Sequence, residues 1–481
     1  MEGKQVELIR LANEEVEKQK QTVEMDHYRL RYHLMPPVGL LNDPNGFIQW
    51  NKTYHLFYQW MPFKTGHGAK FWGHYSSTDL VTWVTEPIAL APSDWYDKNG
   101  CYSGSAIVDD NKLKLFYTGN VKDEHGNRET YQCAAQSRDG REFEKLGVVA
   151  SLPKGYTAHF RDPKVWKKDN TWYMIVGAQS IDEQGKVVLF RSNNLVDWVH
   201  LGVIAGSNEN DLGYFGYMWE CPDLFELNGE DVLLVSPQGL IPSGYLYQNK
   251  YQAGYFIGKL DYEQAVFSHG DFTELDRGFE FYAPQTTLDE QGRRLMFAWM
   301  GVPEQNEEAH PTIKHNWIHA MTLPRELKIQ NGKLYQVPVE ELKLLRTQEI
   351  KFENQKFDRD EITLDGISGD SLELQLDFSS NDYEHFSIFF RDYATFSFEP
   401  KKKLVTLERV SFANGKKEKR QCVLEKLDSL NIYLDTSSIE IFLNGGEEVF
   451  SARIFPLEEN KEMIFSARGE CICHIKKWDL D

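Results

Sequence analysis

Long apolar runs are missing from this chain of 481 residues. No stretch approaches the roughly 20 apolar residues that cross a bilayer, and the first twenty residues carry charge throughout, unlike a secretory signal. The six cysteines include no CxxC pair, and so few in a long chain do not make a disulfide framework. These absences predict a cytoplasmic protein that has no membrane partner and holds no metal.

Positive charge is also scarce. The chain has 53 lysines and arginines against 73 acidic residues, which gives a formal net charge of −20. Nucleic acid and anionic lipid surfaces both bind through cationic patches, so we expect neither as a partner. A small molecule that carries a phosphate would need a local cluster of basic side chains.

Helical periodicity is confined to the N-terminus. Residues 4–20 space four aliphatic side chains among charged ones, which predicts an amphipathic helix within an N-terminal helical segment of residues 1–31. The rest of the chain consists mostly of short apolar or alternating strands between Gly, Asn and Asp turns. The stretch GFIQWNKTYHLFYQW (46–60), for example, predicts a hairpin that turns at Asn51 and Lys52.

These hairpins recur at a nearly constant period. Their first strands are preceded by Asp43, Ser103, Asp162, Glu220 and Tyr282, at separations of 60, 59, 58 and 62 residues. Evenly spaced units of short strands are typical of a β-propeller. The sequence therefore predicts an all-β fold with a five-bladed propeller over residues 32–340. Residues 341–481 alternate apolar and polar residues without this repeat, which predicts a C-terminal β-sandwich.

Three acids of the repeat, Asp43, Asp162 and Glu220, are expected to converge on the propeller axis, because the innermost strand of each blade lines the central channel. Glycoside cleavage uses such a group. One carboxylate attacks the anomeric carbon, one carboxylic acid protonates the leaving oxygen, and a third charge stabilises the transition state. The alternative is structural, since an aspartate before proline commonly caps a turn. The shared phase in the repeat favours catalysis.

The neighbours of these acids predict different protonation states. Arg161 adjoins Asp162 and is expected to hold that carboxylate ionised. Glu220 lies between Trp219 and Cys221, an apolar setting that is expected to raise its pKa into the range of a proton donor. Two carboxylates in opposite environments suggest two different roles.

Several motifs resemble those of glycoside hydrolase family 32, the invertases and β-fructosidases, over nearly the whole chain. The matching segments are LLNDPNG (40–46), YSGSA (102–106), FRDPKVW (160–166), ECPDLF (220–225), MTLPREL (321–327) and LDTSSIEIFLNGGE (434–447). The resemblance implies that Asp43 is the nucleophile, Glu220 the acid/base and Asp162 the transition-state stabiliser. It also implies a five-bladed propeller with an appended β-sandwich.

A wider set of residues is expected to contact substrate. The resemblance implies Asn42, Gln59, Tyr102, Ser103, Arg161 and Trp299. Leu40 or Leu41 stands where the family motif has a tryptophan, so both are counted with this set. Trp72 joins them because sugars stack on aromatic rings.

One loop departs from the secreted and plant members of the family, which tend to have a WGN segment there. TGHGAKFWGH (65–74) has His67 at that tryptophan position and Lys70 close by. This variant is similar to that of the bacterial sucrose-6-phosphate hydrolases, and two basic groups suit a phosphate on the glucose half of the substrate. The structural alternative is that both are solvated loop residues.

We therefore expect a retaining β-fructofuranosidase that hydrolyses sucrose 6-phosphate, and sucrose, to fructose and glucose 6-phosphate or glucose. Its partner is a small sugar or sugar phosphate, and the reaction needs no cofactor. Two alternatives within enzymes are a hydrolase of fructans or fructooligosaccharides and a transfructosylase. From another class, a sugar-binding propeller without catalysis would use the same acids for binding only.

Overall fold

The computed structural model describes residues 2–358 and 361–481. Met1 of the expected helical segment and residues 359–360 of the expected sandwich lie outside the described residues. The helix α1 (Glu2–Glu24) confirms the predicted N-terminal helix. Its buried residues Ala12 and Val23 share an apolar cluster with Leu41 of the first strand, which fixes the helix against the propeller. Among the described residues, no helix has the length and apolar character of a bilayer span.

Five sheets of short strands form the predicted five-bladed β-propeller. In chain order, blade by blade, the strands are β1 (Gly39–Trp50), β2 (Thr53–Met61), β3 (Phe71–Ser77) and β4 (Val84–Thr85); β5 (Cys101–Asp109), β6 (Lys112–Lys122), β7 (Arg128–Ser137) and β8 (Glu144–Ser151); β9 (Tyr156–Lys168), β10 (Thr171–Ser180), β11 (Gly185–Ser192) and β12 (Val199–Gly206); β13 (Met218–Leu227), β14 (Glu230–Gln238), β15 (Gly254–Asp261), β16 (Val266–His269) and β17 (Thr273–Glu274); β18 (Tyr282–Leu288), β19 (Arg294–Trp299), β20 (Trp317–Ile318), β21 (Arg325–Gln330) and β22 (Lys333–Pro338). Although β20 follows β19 of the fifth blade in the chain, it pairs in parallel with β1 and belongs to the sheet of the first blade. This pairing connects the last blade to the first.

The hairpins and the apolar runs follow from simple backbone and packing rules. The predicted β1–β2 turn has both Asn51 and Lys52 at positive φ, 51° and 65°, as a two-residue type I′ turn requires. The second strand of a blade is packed between neighbouring blades. This explains why β14 shows a continuous apolar run over residues 232–235, all buried, instead of an alternating pattern.

In every blade, the pairing between the inner strand and the second strand shifts register at the same level. On the inner strands these shifts lie between Leu41 and Pro44, Tyr102 and Gly104, Arg161 and Lys164, Glu220 and Asp223, and Tyr282 and Gln285. Each is a β-bulge, where the inner strand has one more residue than its partner. Bulges re-aim side chains and are frequent beside active sites. Asp43 and Asp162 lie within their bulges, whereas Glu220 is the last paired residue before its own. The expectation that all three acids occupy the same position is therefore wrong, because Asp43 is the second residue after the last paired one, Asp162 is the first, and Glu220 is the paired residue itself.

The C-terminal strands form one sandwich-like sheet of nine strands, which confirms the predicted second architecture. They are β23 (Arg346–Phe357), β24 (Leu372–Phe390), β25 (Ala394–Glu399), β26 (Leu404–Val410), β27 (Lys417–Val423), β28 (Ser429–Asp435), β29 (Ser438–Leu443), β30 (Glu448–Arg453) and β31 (Met463–Leu480). Short 3-10 turns lie at Glu307–Ala309, Pro311–His315, Glu340–Leu345 and Pro400–Lys402. The long strand β24 pairs with β28 near its start and β25 near its end, so both halves of the sheet share one apolar core.

A buried polar network joins the propeller to this sheet. His33, between α1 and β1, lies 2.8 Å through Nδ1 from Asp435 Oδ2 and 3.0 Å through Nε2 from Glu440 Oε1. Glu440 also accepts a hydrogen bond of 2.6 Å from Arg325 of the fifth blade. Burial alone would lower the pKa of His33, but hydrogen bonds to the two carboxylates outweigh burial and raise the pKa to about 9. The histidine is therefore a buried cation between two acids.

Candidate active site

A cavity of about 630 Å³ opens where the inner strands meet, and Asp43, Asp162 and Glu220 all line it. The residues paired just before four of the bulges, namely Tyr102, Arg161, Glu220 and Tyr282, line it as well. The fold thus supplies two tiers of side chains to the cavity, one from the bulges and one from the positions before them.

Asp43 is held in place by two donors. Ser103 Oγ donates to Asp43 Oδ2 at 2.5 Å, and Asn42 Nδ2 donates to Asp43 Oδ1 at 3.2 Å. Ser103 in turn accepts a 2.6 Å hydrogen bond from Gln59 Nε2. Burial raises the pKa of Asp43, while the hydrogen bond from Ser103 opposes that rise. Such hydrogen bonds fix the direction of the carboxylate and favour its charged form.

Glu220 is paired with a cation. Arg161 donates from Nε and Nη2 to Glu220 Oε1, at 2.8 and 2.6 Å. Tyr282 Oη and Gln238 Nε2 donate to the other oxygen at 2.7 and 2.8 Å. Burial raises the pKa of Glu220, but the charge of Arg161 and the bond from Tyr282 outweigh burial, so the pKa lies below its usual value. The expected apolar setting of Glu220 is therefore wrong, because Arg161, Tyr282 and Gln238 all donate to its carboxylate.

Asp162, like Asp43, has a raised pKa. Burial and the charges of Glu220 and Asp43 raise the pKa of Asp162 to about 7, although Arg161 opposes the rise. Its Oδ2 accepts a hydrogen bond of 2.9 Å from the backbone N–H of Cys221. The expectation that Arg161 holds Asp162 ionised is therefore wrong, because the guanidinium donates its hydrogen bonds to Glu220 of the next blade.

The backbone around these acids is unusual. Asp162 has φ 69° and Cys221 has φ 48°, in the left-handed region that few non-glycine residues adopt. The Cys221 thiol lies 3.7 Å from Asp43 Oδ2 and 3.6 Å from Asp162 Oδ2. Strained backbone of this kind clusters at active sites, and here it brings two carboxylates of different blades to one thiol.

Six of the expected substrate contacts line the cavity: Asn42, Gln59, Tyr102, Ser103, Arg161 and Trp299. Trp299 is almost fully buried, and its indole Nε1 has no hydrogen-bond partner within the described part of the chain. A buried donor without a partner is costly, and a sugar hydroxyl at the cavity wall is a suitable acceptor. The ring of Trp299 also packs edge-on against Tyr282, the partner of Glu220.

Three expected contacts lie elsewhere. Leu40, Leu41 and Trp72 are fully buried and do not line the cavity. Leu40 packs with Ile318 of β20, and Trp72 packs with Phe57 and donates its indole N–H to the Tyr102 carbonyl at 3.1 Å. These three side chains therefore do not contact substrate as expected. They pack behind the residues that form the cavity wall.

The two expected phosphate contacts line the cavity, but each already has a partner. Lys70 is buried, and its Nζ donates to Asn42 Oδ1 at 2.7 Å, beside Asp43. His67 Nε2 lies 3.2 Å from Glu307 Oε1, a carboxylate that would repel a phosphate. Burial lowers the pKa of Lys70 to about 7. The expectation that Lys70 and His67 bind a phosphate is therefore not supported by their contacts.

The site contains residues that motif-based reasoning missed. Tyr282 was part of the repeat, and its in-phase position was the signal that could have identified it. Gln238 lies at the end of the second strand of the fourth blade, where no sequence pattern points to the axis. Lys122, Arg128 and His159 also line the cavity, and their positions follow only from the three-dimensional fold.

The comparisons with known proteins agree with this architecture. The sequence model of the "Glycosyl hydrolases family 32 N-terminal domain" matches residues 33–338, and that of the "Glycosyl hydrolases family 32 C terminal" matches residues 341–479. The chain belongs to glycosyl hydrolase family 32. It is therefore a glycoside hydrolase by family.

Three relatives illustrate the likeness. The chain is 55% identical to a sucrose-6-phosphate hydrolase of Bacillus subtilis (strain 168), with 98% of each chain covered. The solved sucrose-6-phosphate hydrolase from Lactobacillus gasseri superposes with a TM-score of 0.88 at 31% identity, over 98% of this chain and 96% of that one. The Bombyx mori β-fructofuranosidase BmSUC1 gives a TM-score of 0.86 at 34% identity, over 98% and 97%.

Proposed function

We propose that this chain is a retaining β-fructofuranosidase that hydrolyses sucrose 6-phosphate, and sucrose more slowly, with Asp43 as nucleophile and Glu220 as acid/base. The observation that carries the proposal is the convergence of these two carboxylates and Asp162 in one cavity, each with a different hydrogen-bond environment. The names of the relatives support the phosphorylated substrate.

In the first step Asp43 attacks the anomeric carbon of the fructosyl unit, and the bond from that carbon to the glycosidic oxygen breaks. Glu220 gives its proton to the departing oxygen, which releases glucose 6-phosphate. The Ser103 and Asn42 hydrogen bonds suit Asp43 for attack, because they orient its oxygens and favour the ionised form. The product of this step is a fructosyl ester of Asp43.

In the second step Glu220, now a carboxylate, takes a proton from water, and the hydroxyl oxygen displaces Asp43 from the anomeric carbon. Two displacements restore the original configuration. The hydrogen bonds from Arg161, Tyr282 and Gln238 favour Glu220 as a carboxylate. For the first step, Arg161 must turn its donors to sugar hydroxyls, after which burial raises the pKa of Glu220 and readies it as an acid.

We assign Asp162 to binding the fructosyl unit and to stabilising positive charge on it. Asp162 lines the cavity, and the Cys221 amide orients its Oδ2. A carboxylate near the anomeric carbon favours an oxocarbenium-like transition state. We place the enzyme in the cytoplasm, which agrees with six free cysteines and with a phosphorylated substrate.

Steady-state kcat/KM on sucrose 6-phosphate, sucrose and inulin tests the proposed substrate. The proposal predicts the highest value on sucrose 6-phosphate and little activity on inulin. The highest value on inulin would instead identify a fructan hydrolase. Formation of longer fructosides from sucrose would identify a transfructosylase, and no release of reducing sugar from any of the three would identify a binding protein.

A further inference from the structure

Two cations stand opposite each other at the cavity. Lys122 ends β6 and Arg128 begins β7, and the two are direct cross-strand partners that both line the cavity. Like charges directly opposite on neighbouring strands destabilise a sheet. Within the described part of the chain, neither side chain has a carboxylate partner. Of the two acids in the loop between them, Asp123 accepts hydrogen bonds from the backbone of His125 and Asn127, and Glu124 Oε1 lies 3.9 Å from His125 Nε2.

The local positive charge matters because the formal net charge of the chain is −20. Two other cations near the axis are neutralised by carboxylates. Arg161 pairs with Glu220 at 2.6 Å, and Lys164 pairs with Asp223 at 2.9 Å. An unneutralised pair of positive charges in such an acidic chain is a local anion site of the kind that a phosphorylated substrate needs.

The pair shares the cavity with the three acids, and Arg128 lies beside Tyr102. The Arg128 guanidinium carbon is 5.9 Å from the centre of the Tyr102 ring. Tyr102 adjoins Ser103, the hydrogen-bond donor to Asp43. A sugar bound across Tyr102 would therefore extend from the carboxylates toward the two cations.

His159 adds a neutral donor on the same side. Arg161 Nη1 lies 3.0 Å from His159 Nδ1, and since a guanidinium only donates, Nδ1 must accept. Burial and the charges of Arg161 and Arg128 lower the pKa of His159 to about 4, so its single proton is on Nε2 at neutral pH. Among the described residues, that N–H has no hydrogen-bond acceptor.

The rim on the first and fifth blades has the opposite character. Glu304 lines the cavity there, and Glu307 binds His67 and His319 at 3.2 and 2.9 Å. Carboxylates repel a phosphate dianion, so the second and third blades, which carry the cations, offer the favourable side.

We propose that Lys122, Arg128 and His159 bind the phosphate of the substrate, and that they determine the preference for the phosphorylated sugar. This inference rests on the proposed function and deepens it. The guanidinium of Arg128 offers paired donors that match phosphate oxygens, and Lys122 adds a point charge.

The test measures kcat/KM on sucrose 6-phosphate and on sucrose in wild type, Arg128→Gln and Lys122→Gln, together with inhibition by glucose 6-phosphate. Lys154→Gln is the matched control, because Lys154 is exposed, forms no ion pair among the described residues and does not line the cavity. Unchanged turnover of sucrose in each variant shows that the fold and the carboxylates are intact.

We expect each cavity variant to lose roughly 10- to 100-fold in kcat/KM on sucrose 6-phosphate only, the effect of lost hydrogen bonds to a charged group. Inhibition by glucose 6-phosphate should weaken in parallel, and the control should match wild type. A wild-type preference that survives in both variants would overturn the phosphate site alone. Equal wild-type values on both sugars would overturn the proposed substrate and the site together.

Discussion

Arg161 donates two hydrogen bonds to a single oxygen of Glu220, across the boundary between the third and fourth blades. The two residues occupy equivalent positions, each the last paired residue before the bulge of its inner strand. This pair lowers the pKa of Glu220 and favours its carboxylate form, so the proposed acid role requires Arg161 to give up these hydrogen bonds in the first step.

The first prediction concerns that pair. In Arg161→Gln the charge that lowers the pKa of Glu220 is gone, so the pKa rises. Because Glu220 must be protonated in the first step, the alkaline limb of the kcat/KM profile should move to higher pH. Activity at neutral pH should fall roughly 10- to 100-fold through lost hydrogen bonds. The exposed Arg138→Gln is the control, and an alkaline limb that stays in place would contradict the role of Glu220.

The second prediction concerns the acidic limb. Ser103→Ala removes the hydrogen bond that lowers the pKa of Asp43, so the pKa of this nucleophile rises. Since Asp43 attacks only when ionised, the acidic limb of the kcat/KM profile should also move to higher pH. Ser105→Ala is a matched control on the same strand, because its hydroxyl bonds to the Pro163 carbonyl and not to a carboxylate. An equal shift in both variants would argue against a direct effect on Asp43.

The third prediction separates positioning from phosphate binding. Lys70 acts through Asn42 on Asp43, so Lys70→Met should lower kcat/KM by a similar factor on sucrose and on sucrose 6-phosphate. Lys64→Met, on the same loop but exposed, should leave both values unchanged. Loss of activity on the phosphorylated sugar alone would instead indicate that Lys70 binds the phosphate.

The fourth prediction concerns stability. The pKa of His33 is raised from 6.5 to about 9. Its protonated form therefore contributes on the order of 3 kcal/mol below pH 6.5, and this contribution is lost as the pH rises through 9. Urea unfolding from pH 6 to 10 should show this loss in wild type and not in His33→Gln. The exposed His27→Gln, on the same segment, should keep the wild-type pH dependence, and the same slope in all three proteins would contradict the account.

The fold was largely predictable because its determinants are local. Turn residues such as Asn51 and Lys52 mark the hairpins, and the even spacing of the hairpins indicates five blades. The position of Glu220 one residue outside its bulge was not predictable, because no local pattern in ECPDLF shows where the pairing register shifts.

Side-chain partners in the site were less predictable than the acids themselves. Neighbours along a strand point to opposite faces, so adjacency of Arg161 and Asp162 said little about contact, and the guanidinium binds Glu220 instead. In the same way, Trp72 resembles a sugar platform in sequence, yet it lies on the third strand of its blade, in the core between blades. The burial of Lys70 was likewise not predictable from its loop, because it depends on residues that the folded propeller brings around the side chain.

The most direct test of the central claim is the configuration of the product that wild-type enzyme makes from sucrose 6-phosphate in the presence of methanol, read by NMR. Double displacement through a fructosyl ester of Asp43 predicts methyl β-fructofuranoside, with the configuration retained. Methyl α-fructofuranoside would show a single displacement and would contradict the assignment of Asp43 as the nucleophile.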